Sequence, residues 1–190
     1  MDNESAILSR KLEIPKDVTM LIGSITFTLL ITIGAFVYIP LPFTPVPITL
    51  QVLFVLLAGL ILDGRYGTFS SLIYVVLGVT GLPVFAGAVG GISRIFGPTG
   101  GYIIGFLIAP SIVSYLYKIT GKRNFSAFLA MCAGLSVIYL FGILHLSIFL
   151  EYRLGNAFKI GVLPFILGDS FKIILAYLFV RISRRQIWNS

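Results

Sequence analysis

Long apolar stretches alternate along the chain with short polar breaks or breaks rich in proline and glycine. Six of these stretches reach or approach the roughly 20 residues that a helix needs to cross a bilayer. The pattern predicts an all-α integral membrane protein, a bundle of six transmembrane helices. The predicted spans are 18–39, 48–62, 66–79, 102–117, 125–150 and 162–180.

These spans use most of the 190 residues, so we expect one membrane domain over 1–190. It would consist of an amphipathic cytoplasmic lead (1–17), the bundle (18–180) and a basic cytoplasmic tail (181–190). The lead does not look like a signal peptide, because the apolar stretch that follows is long enough to span and runs into prolines. The second and third spans are short, and we expect loops to cap their outer ends.

Two breaks between the spans have unusual compositions. Residues 40–47 contain four prolines and cannot lie inside a helix, so a shaped loop is predicted there. Residues 81–101 contain seven glycines and two prolines, which predicts a long glycine-rich outer loop between the third and fourth spans. Irregular backbone at membrane depth is tolerated when it is buried in protein or lines a cavity, which favours a loop that closes over a pocket. The alternative to a loop that closes over a pocket is that prolines simply gather at helix ends.

Composition and charge agree with this topology. Hydrophobic residues make up 57% and charged residues 11% of the chain, against about 25% charged residues in soluble domains, so a water-soluble fold is excluded. The net charge of +7 does not indicate nucleic-acid binding, because the positive-inside rule explains the basic clusters and places both termini in the cytoplasm. Three basic residues would lie outside (Arg94, Arg153, Lys159) and ten inside (Arg10, Lys11, Lys16, Arg65, Lys118, Lys122, Arg123, Arg181, Arg184, Arg185).

Asp169 and Lys172 are the strongest candidates for a functional site, because ionisable groups inside a span are costly and usually functional. Their i, i+3 spacing places them on one helix face. Arg94 is the basic residue of the long loop, and its planar guanidinium suits a carboxylate. Arg94 and Lys172 are therefore predicted to hold an anionic ligand end, with Asp169 accepting hydrogen bonds from ligand N–H groups. A structural ion pair and an ordinary loop arginine are the alternatives.

Other residue types argue against catalysis and metal binding. Cys132 and His145 each lie in a span without further metal-ligating neighbours, and His145 is predicted to be a hydrogen-bonded histidine. The spans lack a nucleophile paired with a base, and the glycine-rich loop lacks a phosphate-binding motif. We expect no enzyme activity, no cofactor and no metal. Glycines such as Gly87, Gly90 and Gly91 are predicted to let the loop backbone approach a ligand closely.

Four segments together resemble a known family, the biotin-binding substrate-capture subunits (BioY) of energy-coupling-factor (ECF) transporters. They are residues 39–51 (IPLPFTPVPITLQ), 81–87 (GLPVFAG), 97–106 (GPTGGYIIGF) and 161–172 (GVLPFILGDSFK). The resemblance implies a six-helix bundle in the cell membrane of a prokaryote that binds biotin near its outer face. It also implies a membrane-embedded coupling subunit and two ATPase subunits as partners, with ATP bound on the partners.

The resemblance carries site residues with it. Asp169 and Lys172 match an Asp-x-x-Lys motif that the family associates with the ligand, and Arg94 matches a basic loop residue. Biotin would place its carboxylate at Lys172 and Arg94 and its ureido group at Asp169. Its rings would contact the aromatic side chains of Phe85, Phe43 or Tyr102. Gln51, in the first matching segment, is also predicted to bind the ligand.

The chain departs from the family pattern at two places. Ala88 and Val89 interrupt the expected glycine run, and Ser24, Thr28 and Thr32 replace an Ala-x-x-x-Ala stripe on the first span. These small residues are predicted to contact the coupling subunit, with packing inside the bundle as the alternative. Other functions considered are an ion-gradient-driven transporter that uses Asp169 as proton carrier, a membrane enzyme, and a capture subunit for a different vitamin.

Overall fold

The chain folds into a mostly helical bundle, seen in a computed structural model that describes residues 15–121 and 123–188. The predicted lead up to residue 14 and Lys122 lie outside the described residues. In the tail, the side chains of Arg184 and Arg185 also lie outside them.

The described elements are eight helices and one hairpin. In chain order they are α1 (Lys16–Phe36), β1 (Tyr38–Leu41), β2 (Thr44–Thr49), α2 (Gln51–Ile61), α3 (Gly64–Val79), α4 (Ser93–Phe96), α5 (Gly100–Ile119), α6 (Asn124–Phe149), α7 (Leu154–Gly161) and α8 (Leu163–Trp188).

Four of the described helices, α1, α5, α6 and α8, are long and apolar enough to cross a membrane, with mean hydropathy between 1.5 and 2.3. Helix α2 is apolar but has 11 residues, and α3 has 16, so both are short, as predicted. The prediction of a multi-pass helical membrane protein is thereby supported. The count of six spans stays a prediction.

The proline-rich segment differs from the predicted loop because it forms a hairpin. Helix α1 ends at Phe36, earlier than the predicted residue 39, and Tyr38 and Ile39 pair antiparallel with Thr49 and Ile48. Each strand of a two-stranded sheet has a free edge, where a proline without an N–H is tolerated. The prolines therefore excluded a helix here but did not exclude a strand.

A second difference concerns residues 151–161, the polar break that the sequence leaves between the fifth and sixth predicted spans. Residues Leu154–Gly161 form helix α7. Leu154, Ala157, Phe158 and Gly161 are spaced as on one helix face, and Ala157 and Gly161 are buried. The polar residues between them made the connection look irregular because they occupy the opposite side of a short amphipathic helix.

Helix α2 occupies the centre of the bundle. Eight of its eleven residues are buried, and it packs against α1, α3, α5, α6 and α8. Such burial is expected for a helix that is apolar on every face. Gly59 lets α5 approach closely, because a Cβ at this position would lie 2.6 Å from the Pro110 Cα.

Helix α1 is joined to α3 by two buried hydroxyl groups. Ser24 donates to the carbonyl oxygen of Tyr66 (3.0 Å), and Thr28 donates to that of Ser70 (2.9 Å). Ser24 and Thr28 are 0% and 3% exposed, and Thr32 is partly buried. Ser24 and Thr28 therefore pack within the bundle, which was the alternative for this stripe. Contact of the stripe with a coupling subunit stays a prediction.

The close contact of α2 with α5 predicts that a methyl group added at Gly59 destabilises the protein. Gly59→Ala should lower the melting temperature of the purified protein in detergent, since overpacking a well-packed site costs about 1–3 kcal/mol. Gly168→Ala is the matched control, because a Cβ on this helical glycine would meet nothing within 4 Å. Equal melting temperatures for the two variants would contradict the packing described for α2.

Candidate ligand-binding site

A cavity opens at the end of the bundle that carries the β1–β2 hairpin, here called the hairpin end. Its walls come from the hairpin, the segment 81–99 and the adjoining parts of α2, α3, α5, α6 and α8. Counted out to its open mouth, its empty space is about 800 Å³. A cleft between the helices of a bundle is a usual place for a small-molecule site.

One polar group of the cavity is a three-residue cluster. Lys172 Nζ donates to Asp169 Oδ1 at 2.6 Å, and the Tyr139 hydroxyl donates to Asp169 Oδ2 at 2.6 Å. Asp169 and Lys172 are 3% and 6% exposed. A lone charge at this depth would be costly, so the opposite charge and the tyrosine stabilise the carboxylate where it lies.

A second polar group lies where the hairpin meets α2. Gln51, the first residue of α2, is buried and its amide nitrogen donates to the Tyr74 hydroxyl at 2.6 Å. The Thr49 hydroxyl, at the end of β2, donates to the Gln51 side-chain oxygen at 3.3 Å. The short connection between strand and helix thus places the Gln51 amide and the Thr49 hydroxyl on the cavity wall, next to the Tyr74 hydroxyl from α3.

Aromatic rings supply the apolar part of the wall. Phe85 is 2% exposed and packs edge-on against Tyr74, with ring centroids 5.4 Å apart. The Tyr102 hydroxyl donates to the Gly161 carbonyl oxygen at 2.7 Å, so its hydrogen is already used within the bundle. Both rings therefore line the cavity mainly as apolar surfaces.

Arg94 lies at the mouth of the cavity. It belongs to the four-residue helix α4, lines the cavity and is exposed. Its guanidinium has no hydrogen bond or ion pair to any residue in 15–121 or 123–188. The site therefore combines a neutralised ion pair in its depth with an unpaired positive charge at its mouth.

Six predicted ligand-binding residues line this cavity: Asp169, Lys172, Arg94, Tyr102, Phe85 and Gln51. Three predicted glycines do not line it. A Cβ at Gly90 would collide with the backbone of Gly81 and Leu82, and the Gly91 N–H donates to the Gly78 carbonyl oxygen at 2.7 Å. Gly87 has a φ of 83° and lies beside the Tyr38 ring.

These glycines shape the loop and do not contact the cavity. Phe43, named as one possible ring contact, is 61% exposed and also lies outside the cavity wall.

Sequence reasoning missed the tyrosines that carry hydroxyl groups into the cavity. Tyr139 on α6, Tyr74 on α3 and Tyr38 in the hairpin all line it. A tyrosine in the middle of an apolar span was the available signal, because its buried hydroxyl group requires a partner. The partners Asp169 and Gln51 are distant in sequence, so the pairing required the fold.

The arrangement suits a small polar molecule with an apolar body. The deep end offers an ammonium donor, a carboxylate acceptor and hydroxyl groups, whereas the mouth offers a cation. Among the described residues, no three His, Cys, Asp or Glu side chains come together as metal ligands.

Comparisons with known proteins agree on one family. The BioY family model matches residues 6–189. Biotin transporter BioY of Thermotoga maritima is 40% identical over 163 residues, covering 85% of this chain and 94% of the relative. Probable biotin transporter BioY of Pyrococcus horikoshii is 47% identical over 146 residues, covering 77% of this chain and 84% of the relative.

A solved structure shares the fold as well. The crystal structure of the S-component for biotin from an ECF-type ABC transporter superimposes with a TM-score of 0.83 at 33% identity, covering 90% of this chain and 93% of that one. With the family model spanning nearly the whole chain, and relatives this similar over most of their length, the chain belongs to the BioY family.

Proposed function

We propose that this chain captures biotin outside the cell membrane and serves as the substrate-specific subunit of an ECF-type importer. The relatives named above are biotin transporters, and the similar solved structure is the biotin S-component of an ECF-type transporter. The observation that carries the proposal for this chain is the cavity, which joins the Asp169–Lys172 pair to Arg94 at its mouth. Such a subunit binds and hands over its ligand without chemical change, so it is not an enzyme.

The geometry of the ion pair revises how biotin is expected to lie. Asp169 and Lys172 are 2.6 Å apart, so they meet the same end of a ligand. A cyclic urea carries N–H donors next to a carbonyl acceptor, which matches a carboxylate acceptor beside an ammonium donor. We therefore place the ureido ring at this pair, with Tyr139 supporting Asp169.

The carboxylate of biotin then extends toward the mouth. Its aliphatic chain separates the carboxylate from the rings, and Arg94 is the basic residue that lines the mouth. A guanidinium can hold a carboxylate by two parallel hydrogen bonds. In this arrangement the carboxylate binds Arg94 alone, whereas the sequence analysis assigned it to both Arg94 and Lys172.

Transport requires partners that this chain does not provide. We propose a membrane-embedded coupling subunit and two ATPase subunits, which bind the ATP, because the similar solved structure belongs to a transporter of this type. Six spans with both termini in the cytoplasm would place the hairpin end outside. The basic side chains at the opposite end, such as Lys118 in its ion pair with Asp63, fit a cytoplasmic position.

A transporter driven by protons is less well supported. The similar solved structure belongs to an ECF-type ABC transporter, and both oxygens of Asp169 accept hydrogen bonds from groups of this chain, Lys172 and Tyr139. We therefore do not assign proton coupling to Asp169.

The proposed orientation predicts different effects at the two cations. Arg94→Met should weaken biotin binding by roughly ten- to hundred-fold, the value of a hydrogen bond to a charged group. It should leave the binding of biotin amide almost unchanged, since that ligand has no carboxylate. Calorimetry with both ligands on the purified protein measures this difference.

Lys172→Met should weaken both ligands alike, because it removes the ammonium that would donate to the ureido carbonyl, a hydrogen bond worth about 1.5–3 kcal/mol. A variant of Lys172 that discriminates between biotin and its amide would show that this lysine holds the carboxylate. Ser136→Ala is a control for both variants, because its hydroxyl donates to the Cys132 carbonyl oxygen of its own helix.

The proposed topology predicts opposite labelling at the two ends of the bundle. In a Cys132→Ser background, a cysteine at Phe43 should react with an impermeant thiol reagent added to intact cells. A cysteine at Thr120 should react only after the cells are opened. Both native residues are exposed in the structure. External labelling at position 120 would contradict the topology.

The segment 81–99 is proposed to close over bound biotin. Phe85 and Arg94 line the cavity from this segment, which joins α3 to α5. Its backbone amides should exchange hydrogen more slowly when biotin is bound, measured by mass spectrometry against the amides of α7 as an internal reference. Unchanged exchange at saturation would indicate a fixed wall.

A further inference from the structure

His145 on α6 makes a hydrogen bond that the binding site does not obviously require. Its Nε2 lies 2.9 Å from the carbonyl oxygen of Gly97, 48 residues earlier in the chain. A carbonyl oxygen can only accept, so the ring donates through Nε2–H. The histidine therefore ties α6 to the point where the segment 81–99 enters α5.

Gly97 immediately follows α4, the helix that carries Arg94. Helix α4 has four residues, none of them buried, and such a short helix is not stable by itself. Ile92 and Phe96 are 58% and 68% exposed, so the residues around Arg94 add little packing. The position of α4 therefore depends on the attachments at its two ends and on the partly buried Ile95.

The two end attachments are specific hydrogen bonds. Before α4, the Gly91 N–H donates to the Gly78 carbonyl oxygen at 2.7 Å. After α4, the Gly97 carbonyl oxygen accepts from His145 and also from the Gly100 N–H at 3.0 Å. The bond from Gly100 is local and closes a turn. The bond from His145 is therefore the polar link that joins this end of α4 to another helix of the bundle.

Gly100 and Gly101 make room for the histidine ring. A Cβ at Gly100 would lie 3.1 Å from His145 Nε2 and would collide with the Ile95 carbonyl oxygen. A Cβ at Gly101 would collide with the Phe141 backbone and with the His145 side chain. Without side chains at these two positions, α6 can approach the first turn of α5 and its imidazole can reach Gly97.

We propose that His145 is a positioning residue for ligand binding: by holding the Gly97 carbonyl oxygen, it fixes α4 and so places the Arg94 guanidinium over the ligand carboxylate. This inference rests on the proposed function, in which Arg94 binds that carboxylate. His145 does not line the cavity, so it acts through Arg94 and has no contact with the ligand.

Removal of the donor should affect the carboxylate end of the ligand alone. His145→Leu should weaken biotin binding several-fold and leave biotin amide unaffected, whereas His145→Gln, which retains an N–H donor, should restore most of the affinity. His145→Asn is a second variant for the case that the leucine variant does not fold, because its shorter side chain withdraws the donor from Gly97. Calorimetry on purified protein measures each constant, with Ser136→Ala as the control on the same helix.

A double variant separates positioning from a general structural role. In an Arg94→Met background, His145→Leu or His145→Asn should cause no further loss of biotin affinity. Equal weakening of biotin and its amide, or full additivity with Arg94→Met, would show that His145 only stabilises the bundle and would overturn the inference. If Arg94→Met alone fails to discriminate between the ligands, the role proposed for Arg94 fails first and the inference fails with it. If Arg94→Met discriminates between biotin and its amide but its effect adds fully to that of the His145 variants, the inference is refuted and the role of Arg94 stands.

Discussion

The ion pair of Asp169 and Lys172 is the constraint around which the cavity is organised. Either charge alone would be costly at this depth in an apolar bundle, and the pair is tolerated because the two groups lie 2.6 Å apart and Tyr139 occupies the second carboxylate oxygen. The pair has no net charge, yet it keeps a strong donor and a strong acceptor on the cavity wall. An apolar replacement of similar volume would satisfy the bundle equally well, so stability alone does not explain these residues.

The rest of the bundle places walls around this pair. Helix α2 lies at the centre and its first residue, Gln51, reaches the cavity, because the hairpin ends where α2 begins. Helix α6 contributes Tyr139 near its middle and His145 nearer its end. The same helix therefore contacts the deep end of the cavity and the segment that carries Arg94 at its mouth, so packing of α6 against α5 links the two ends of the cavity.

Local signals predict the helical membrane character and three of the cavity residues, Asp169, Lys172 and Arg94. The resemblance adds Phe85, Tyr102 and Gln51. An aspartate and a lysine inside one apolar span, or an arginine in a glycine-rich loop, are visible without a fold. The hairpin was missed because proline argues against a helix but says nothing of an edge strand. Helix α7 was missed because a short amphipathic helix with basic residues resembles a polar loop.

Residues whose role depends on a distant partner could not be assigned from local signals. Ser24 and Thr28 have small side chains that suit either a partner subunit or a neighbouring helix, and their bonds to α3 become visible only in the fold. The spacing of Asp169 and Lys172 placed both on one face and left open whether they bind each other, which the 2.6 Å distance between the two groups shows. Gly90 illustrates the same limit, because its lack of a side chain serves contact with Gly81 and Leu82, whereas ligand approach was the expectation.

The division of charge between the depth and the mouth of the cavity has a consequence for the order of binding events. An exposed cation attracts an anionic ligand from a distance of about a Debye length, about 8 Å at physiological salt, whereas a buried neutral pair exerts no such attraction. In the proposed orientation, Arg94 would therefore meet the carboxylate early, and the ureido ring would have to pass the mouth to reach Asp169. Desolvation of the ring against Phe85 and Tyr102 then favours the seated ligand, because apolar surface is removed from water on both sides. In this order the mouth governs the rate of capture and the deep pair governs which ring is retained.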